Sequence, residues 1–131
     1  MTQSFSILPT RHAIARLDPG APVPNQLLEA AGLVCVTRTP DELSIVCPED
    51  AAQGFEAVDR GWRCIKVHGP FAFDEVGILA SLLDPLATAS IGVFAISTFD
   101  TDYILVKSPD LERAIAALQA AGHRLAGEAP G

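Results

Sequence analysis

Basic residues are scarce in this chain. Nine lysines and arginines stand against sixteen aspartates and glutamates, for a formal net charge of −7. A phosphate backbone is neutralised by clustered Lys and Arg, and no such cluster occurs, so nucleic acid is not an expected partner. Anionic membrane surfaces are disfavoured for the same reason. Cysteine is sparse too. Cys35, Cys47 and Cys64 make an odd set without a C-x-x-C pair, each inside an apolar, strand-like run. That pattern fits small buried hydrophobes in a reducing compartment better than a disulfide framework. A redox thiol would need a nearby cation or helix N-terminus, which the sequence does not reveal. His12, His68 and His123 stand alone, with no H-x-x-x-H spacing and no Cys/His cluster, so no metal site is expected. G-x-S-x-G, Walker A and G-x-G-x-x-G patterns are absent. With no nucleophile, base or metal set in view, the expectation is a non-catalytic protein without a cofactor. No apolar run is long enough to span a bilayer, and the opening MTQSFSILPTRHAIA lacks a basic n-region. The expected location is the cytoplasm.

What is present reads as a globular domain. The chain has 131 residues, 49% of them hydrophobic and 19% charged, enough to bury a core without disulfides or a metal. The second half is the easier to parse. WRCIKVH (62–68) has strand character and is broken by Gly69–Pro70. FDEVGILASLLDPLA (73–87) follows, with Val76, Leu79, Leu82, Leu83 and Leu86 at helical spacing. Asp74 is the expected N-cap, Phe73 and Ile78 a hydrophobic staple, and Pro85 a limit on how far the helix runs undistorted. IGVFAIS (91–97) and YILVK (103–107) are strands around the turn FDTD. Ser108–Pro109 supplies an N-cap and a first-turn proline for a helix with Leu111, Ala114, Ile115 and Leu118 on one face. Gly122 is a C-terminal stop, and a last strand is expected over 123–126.

The first half repeats this pattern in shorter form. VTRTPDELSIVCPED (36–50) parallels ISTFDTDYILVKSPD (96–110) at an offset of 60, and Gly32 parallels Gly92. HAIARLD (12–18) takes the part of WRCIKVH, with a shortened helix around 23–31. Self-similarity of this kind points to duplication. The predicted fold is α+β: two tandem ferredoxin-like βαββαβ units, antiparallel sheets with helices on one face. The expected division is 1–60, a shortened half, and 61–131, a complete one. Open sheet edges favour pairing, so a homodimer is expected.

Two stretches could bind a ligand. In the first, Asp74, Glu75, Val76, Gly77 and Ile78 open the helix, where free backbone N–H groups attract an anion. Gly77 in a first turn costs about 1 kcal/mol relative to Ala; it either admits a ligand closely or permits tight helix–sheet packing. The second stretch, Ser97, Thr98 and the turn through Asp100 to Asp102, offers hydroxyls and carboxylates that can accept from an ammonium or guanidinium group. A plain polar hairpin is the alternative. Together the stretches suit an α-amino acid. Arg38, in the matching turn of the first half, either meets a carboxylate or pairs on the surface with Asp41 or Glu42.

These runs resemble small bacterial double-ACT proteins and the ACT repeats of the CASTOR family of cytosolic arginine sensors. The likeness covers the chain from about Leu8 to Leu118. It rests on FDE-x-GI and on ISTF with the aspartate that follows. The resemblance implies an amino-acid-binding regulatory module with ligand at an interface between ACT units. It matches the family's binding glycine and aspartate to Gly77 and Asp102, with Val76, Ile78, Ser97 and Thr98 as neighbours. Two repeats here replace the four of those sensors. The competing expectation is an interaction or dimerisation module with no ligand, acting on an unidentified protein target.

Overall fold

The computed structural model describes residues 2–71 and 76–127. The chain forms two compact units. Thr10–Trp62 make the smaller one; the stretch up to Pro9 and the stretch from Arg63 onward make the larger one. Strands β1 (Ser4–Leu17) and β4 (Ala57–Val67) each contribute residues to both. The opening stretch therefore packs with the C-terminal residues, not with those that follow it in sequence.

In the smaller unit the strand order is β2-β3-β1-β4, with β2 at Cys35–Arg38 and β3 at Leu43–Pro48. β1 runs antiparallel to β3 from His12 opposite Pro48 to Leu17 opposite Leu43. β2 runs antiparallel to β3 from Cys35 opposite Val46 to Arg38 opposite Leu43. Alternation along the strands places Ala13, Ala15, Leu43, Ile45 and Cys47 on one face, where they join Leu27, Ala51 and Ala52 in a core. No α-helix forms among the described residues of this unit. The helix expected around 23–31 is a 3₁₀ turn over Asn25–Leu27, and a second 3₁₀ turn spans Glu49–Ala52. Pro22 and Pro24 hold the approach extended, and Gly32 and Gly54 at positive φ end each segment. The Gln26 side-chain amide donates to the Ala51 and Gln53 carbonyls at 2.9 and 3.0 Å, joining the two turns.

The larger unit runs β4, α1 (Ile78–Thr88), β5 (Phe94–Ser97), β6 (Asp102–Lys107), α2 (Leu111–Ala120), β7 (Arg124–Leu125). Its strand order is β1-β4-β6-β5, and β7 joins β1 in parallel, Ser4 opposite Arg124 and Phe5 opposite Leu125. The expected closing strand is thus present but two residues long. Ile65 and Val67 of β4, Ile104 and Val106 of β6, Ile78, Leu82 and Leu86 of α1, and Leu111, Ala114 and Leu118 of α2 form its core. Helices and strands in an α+β arrangement are as expected.

Several details differ from the sequence reading. α1 begins at Ile78 with Gly77 as its N-cap, three residues later than an Asp74 cap implies. Phe73, Asp74 and Glu75 lie outside the described residues. Val76, expected on the buried helix face, precedes the helix and is 83% exposed. Ser108 does not cap α2. It opens a 3₁₀ turn, Ser108–Asp110, and its hydroxyl has no hydrogen-bond partner among the described residues. Both helices end by the same device. The N–H groups of Ser90 and Ile91 return to Ala87 and Leu86, and those of Gly122 and His123 return to Gln119 and Leu118, all at 3.0 Å. Gly122 is at φ 97, as its stop role requires, whereas α1 places a serine, Ser90, at φ 59.

Pro85 sits inside α1 without ending it. Proline has no N–H, so the carbonyl four residues back, on Ser81, loses its helical partner. The His123 ring supplies a substitute: Nε2 lies 2.8 Å from the Ser81 carbonyl, and Nδ1 accepts the Gln3 N–H at 3.0 Å. Because Ser81 O only accepts and Gln3 N–H only donates, the proton is on Nε2. His123→Leu should cost about 1–3 kcal/mol in urea unfolding, because a buried carbonyl and amide lose partners together. In a Pro85→Ala background, where an N–H returns to Ser81, the same change should cost measurably less. Equal costs in both backgrounds would refute the pairing.

Burial raises the Cys64 thiol from 9.0 to about 12. Burial also raises Cys47, with nearby Arg60 pulling back down and Asp50 adding upward. Both thiols stay protonated where an unfolded thiol ionises. The native state then holds more protons, and the stability they contribute is complete below pH 9 and lost as pH climbs toward about 12. With a thiol reagent at pH 8, native protein should label quickly at half-buried Cys35 alone, and at all three sites once unfolded.

Candidate functional site

The hairpin β5–β6 ends in a turn built from its own threonines. Thr98 N–H and Oγ1 both donate to the Thr101 carbonyl, at 2.8 and 3.1 Å, and Thr101 N–H donates back to Thr98 Oγ1 at 3.3 Å. Thr101 is buried, and its hydroxyl donates to the Val67 carbonyl at the end of β4. Immediately after β4 the chain turns at Gly69–Pro70, a cis peptide, and the Phe71 N–H donates to the Asp100 carbonyl at 2.8 Å. A Cβ on Gly69 would lie 2.5 Å from the Asp100 carbonyl oxygen and 3.2 Å from Thr101 Cβ. Only glycine lets these segments come so close.

This seating opens a cleft of about 320 Å³ between the start of α1 and the turn. Gly77, Ile78, Leu79 and Ala80 form one wall; Ser97 through Asp102 form the other, with Phe71 between. Among the described residues the first helical bond is Ser81 N–H to Gly77 O at 3.0 Å, so the wall residues from Gly77 to Ala80 precede it and their N–H groups have no helical partner there. Gly77 stands at φ 81. It therefore answers a conformational demand that neither sequence reading named, and as an N-cap it carries no helix-interior cost. On the facing wall, Ser97 and Asp102 are the last paired residues of the hairpin, and Ser97 Oγ donates to Asp102 Oδ1 at 2.6 Å. That bond holds the carboxylate and leaves its second oxygen available as an acceptor. One end of the cleft thus offers donors and the other an anion.

Of the residues expected at a site, Gly77, Ile78, Ser97, Thr98 and Asp102 line this one cleft. Val76 is not among the lining residues, and Asp74 and Glu75 lie outside the described ones. Phe71, Leu79 and Ala80 line the cleft too and were not expected at the site. The Gly69–Pro70 pair was the only signal for them, and it reads as a strand break. Phe99, at the turn, also lines the cleft and is 78% exposed. Among the described residues no group of His, Cys, Asp or Glu could hold a metal ion.

The hairpin of the smaller unit is built alike. Thr39 N–H donates to the Glu42 carbonyl at 2.9 Å, and Glu42 N–H donates to Thr39 Oγ1 at 3.1 Å. Its closing pair is Arg38 with Leu43, matching Ser97 with Asp102 at an offset of 59 (38 to 97, 43 to 102). The hairpins therefore correspond one residue away from the offset of 60 read in the sequence, and Gly32 and Gly92 are not equivalent. Arg38 pairs with neither Asp41 nor Glu42. Its guanidinium donates to the carbonyls of Pro19 and Ala21, the latter at 2.7 Å.

The larger unit is a ferredoxin-like α+β unit with a cleft between a helix start and a hairpin turn, and sequence comparison says what it is similar to. Residues 57–120 match the ACT domain model, and residues 10–53 match a separate model for an N-terminal domain. The match to the ACT domain thus covers just under half of the chain. The chain is 42% identical over 59 residues to the human cytosolic arginine sensor for mTORC1 subunit 1, a match covering 44% of this chain and 18% of that protein. The chain thus spans under a fifth of the length of that relative. A crystal structure of an Agrobacterium tumefaciens protein is similar throughout, with 44% identity, a TM-score of 0.89, and coverage of 100% of this chain and 98% of the other. The regulatory subunit of aspartate kinase from Thermus thermophilus shares the fold, at a TM-score of 0.63 and 13% identity over 92% of this chain and 97% of that one. No described helix is long and apolar enough to cross a membrane.

Gly69→Ala should displace the turn and lower stability by about 1–3 kcal/mol. Amide shifts in a heteronuclear NMR spectrum should change at Phe71 and Thr98–Thr101 while those of β2 and β3 stay in place.

Proposed function

We propose that this chain is a non-catalytic, cytoplasmic module of two tandem ACT-like units that binds an amino acid and regulates through it. The observation that carries the reading is the cleft in which helix-start N–H groups face the Ser97–Asp102 pair. The ligand's α-carboxylate docks on the N–H groups of Gly77–Ala80, where helix N-termini favour negative charge. Its ammonium, or a cationic side chain, is held by Asp102 through charge-assisted hydrogen bonds. Asp74, Glu75 and Val76 belong to the same proposed ligand-binding set. The relative named for arginine sensing makes arginine the first ligand to try.

β5 ends the strand order of the larger unit, and the exposed Val76 and Phe99 belong to the same unit. A second copy aligned along β5 would cover these apolar side chains and close the cleft, which places the ligand at an interface between ACT units. The same exposed residues support the second reading, a dimerisation or protein-docking module in which the cleft stays empty.

A thermal-shift panel of the twenty amino acids separates the two. Ligand at a hundred times its Kd stabilises by about 2.7 kcal/mol, a clear rise in melting temperature. Arginine or another amino acid should produce this rise, Asp102→Asn should abolish it, and Arg113→Ala should keep it. No rise with any of the twenty at millimolar concentration would leave the docking reading.

A further inference from the structure

Alternation along β4 sends Ile65 and Val67 into the core under α1 and α2, so Lys66 and His68 face the other side of the sheet. On β6 the same alternation buries Ile104 and turns Tyr103 outward. These three side chains line a groove of about 510 Å³ that ends at Gly69, Pro70 and the Thr98–Thr101 turn. His68 is held by its Nε2 at 2.9 Å from Ser6 Oγ. Neither the Lys66 ammonium nor the Tyr103 hydroxyl has a hydrogen-bond or ion-pair partner among the described residues, although the chain carries a net charge of −7.

We propose that this groove is a second binding site, separate from the cleft, for a small molecule bearing an oxyanion, either a carboxylate or a phosphate. Lys66 supplies the positive charge, Tyr103 a hydroxyl donor, and His68 a ring fixed in place by Ser6. Asp100, the carboxylate among the lining residues, belongs to the turn and not to the strands, so the anion is held against β4 and β6. Thr98, Asp100 and Thr101 line both the groove and the cleft, so an occupant of the groove touches the turn from its other side. The site stands on its own donors and does not require the cleft to bind an amino acid.

The test is an NMR titration of the full chain with inorganic phosphate and, separately, with acetate, at constant ionic strength set by sodium chloride. Saturable shifts at the amides of Lys66, His68 and Tyr103, with half-saturation on the order of millimolar, are expected for at least one anion. Lys66→Met and Tyr103→Phe should each weaken binding, the former by about tenfold, the loss of one charge-assisted contact. Arg11→Ala, outside the groove, should leave it unchanged. The tighter of the two anions identifies the chemistry. Shifts that rise linearly without saturation, or that respond equally to Lys66→Met and Arg11→Ala, would overturn the proposal. Should Lys66→Met fold poorly, Tyr103→Phe carries the comparison alone.

Discussion

The seating of the Thr98–Thr101 turn on the end of β4 is the constraint from which the larger unit's surface follows. Three ties act together: the Thr101 hydroxyl on the Val67 carbonyl, the Phe71 amide on the Asp100 carbonyl, and the absence of a side chain at Gly69. The first two use backbone polar groups that would otherwise end unpaired beside a buried strand, and the third removes a clash with the Asp100 carbonyl, so each is hard to give up singly. The turn in turn fixes Ser97 opposite Asp102 and forms a wall of the cleft and of the groove behind it. One short segment therefore borders two openings.

The helices are finished by tertiary contacts as much as by local sequence. Proline inside α1 would be a fault in an isolated helix, at a cost of about 3 kcal/mol. In this fold the orphaned Ser81 carbonyl meets His123, a residue just beyond α2, which also gathers the Gln3 amide beside β1. One ring thus ties together the two helices and the first strand of the larger unit. Lone histidines are usually structural, and this one has a specific structural task.

The two hairpins show how alike backbone and unlike chemistry coexist. Threonine starts both turns and makes the same bonds, Thr39 to Glu42 and Thr98 to Thr101. At the closing pair, however, the larger unit carries a serine and a carboxylate, and the smaller one carries Arg38 and a buried leucine. Arg38 brings its own cation to the carbonyls of Pro19 and Ala21. Where the larger unit leaves an acceptor open, the smaller unit satisfies acceptors from within.

Much of this was legible from residue order. Continuous apolar runs in IVC and YILV, helical spacing in Leu82–Leu86 and Leu111–Leu118, and Gly122 as a stop are local signals. The pairing of Gly77 with Asp102 was legible only through resemblance, since no local rule links residues so far apart. Other features were decided by tertiary structure. β1 serves two units because its length outruns either one, and Val76 lies outside because α1 starts at a left-handed glycine. The true offset of the hairpins is 59, since register is set by hydrogen-bond pairing and not by where apolar letters best align. The sequence by itself determined most of the strands, helices and turns, because those depend on neighbours along the chain; the stretch around 23–31, expected as a helix, is the exception, a 3₁₀ turn over Asn25–Leu27. Which carbonyl meets His123, which turn accepts Gly69, and which residues share a cleft were decided only when distant segments packed, because a hydrogen bond reaches about 3 Å in space whatever the separation in sequence.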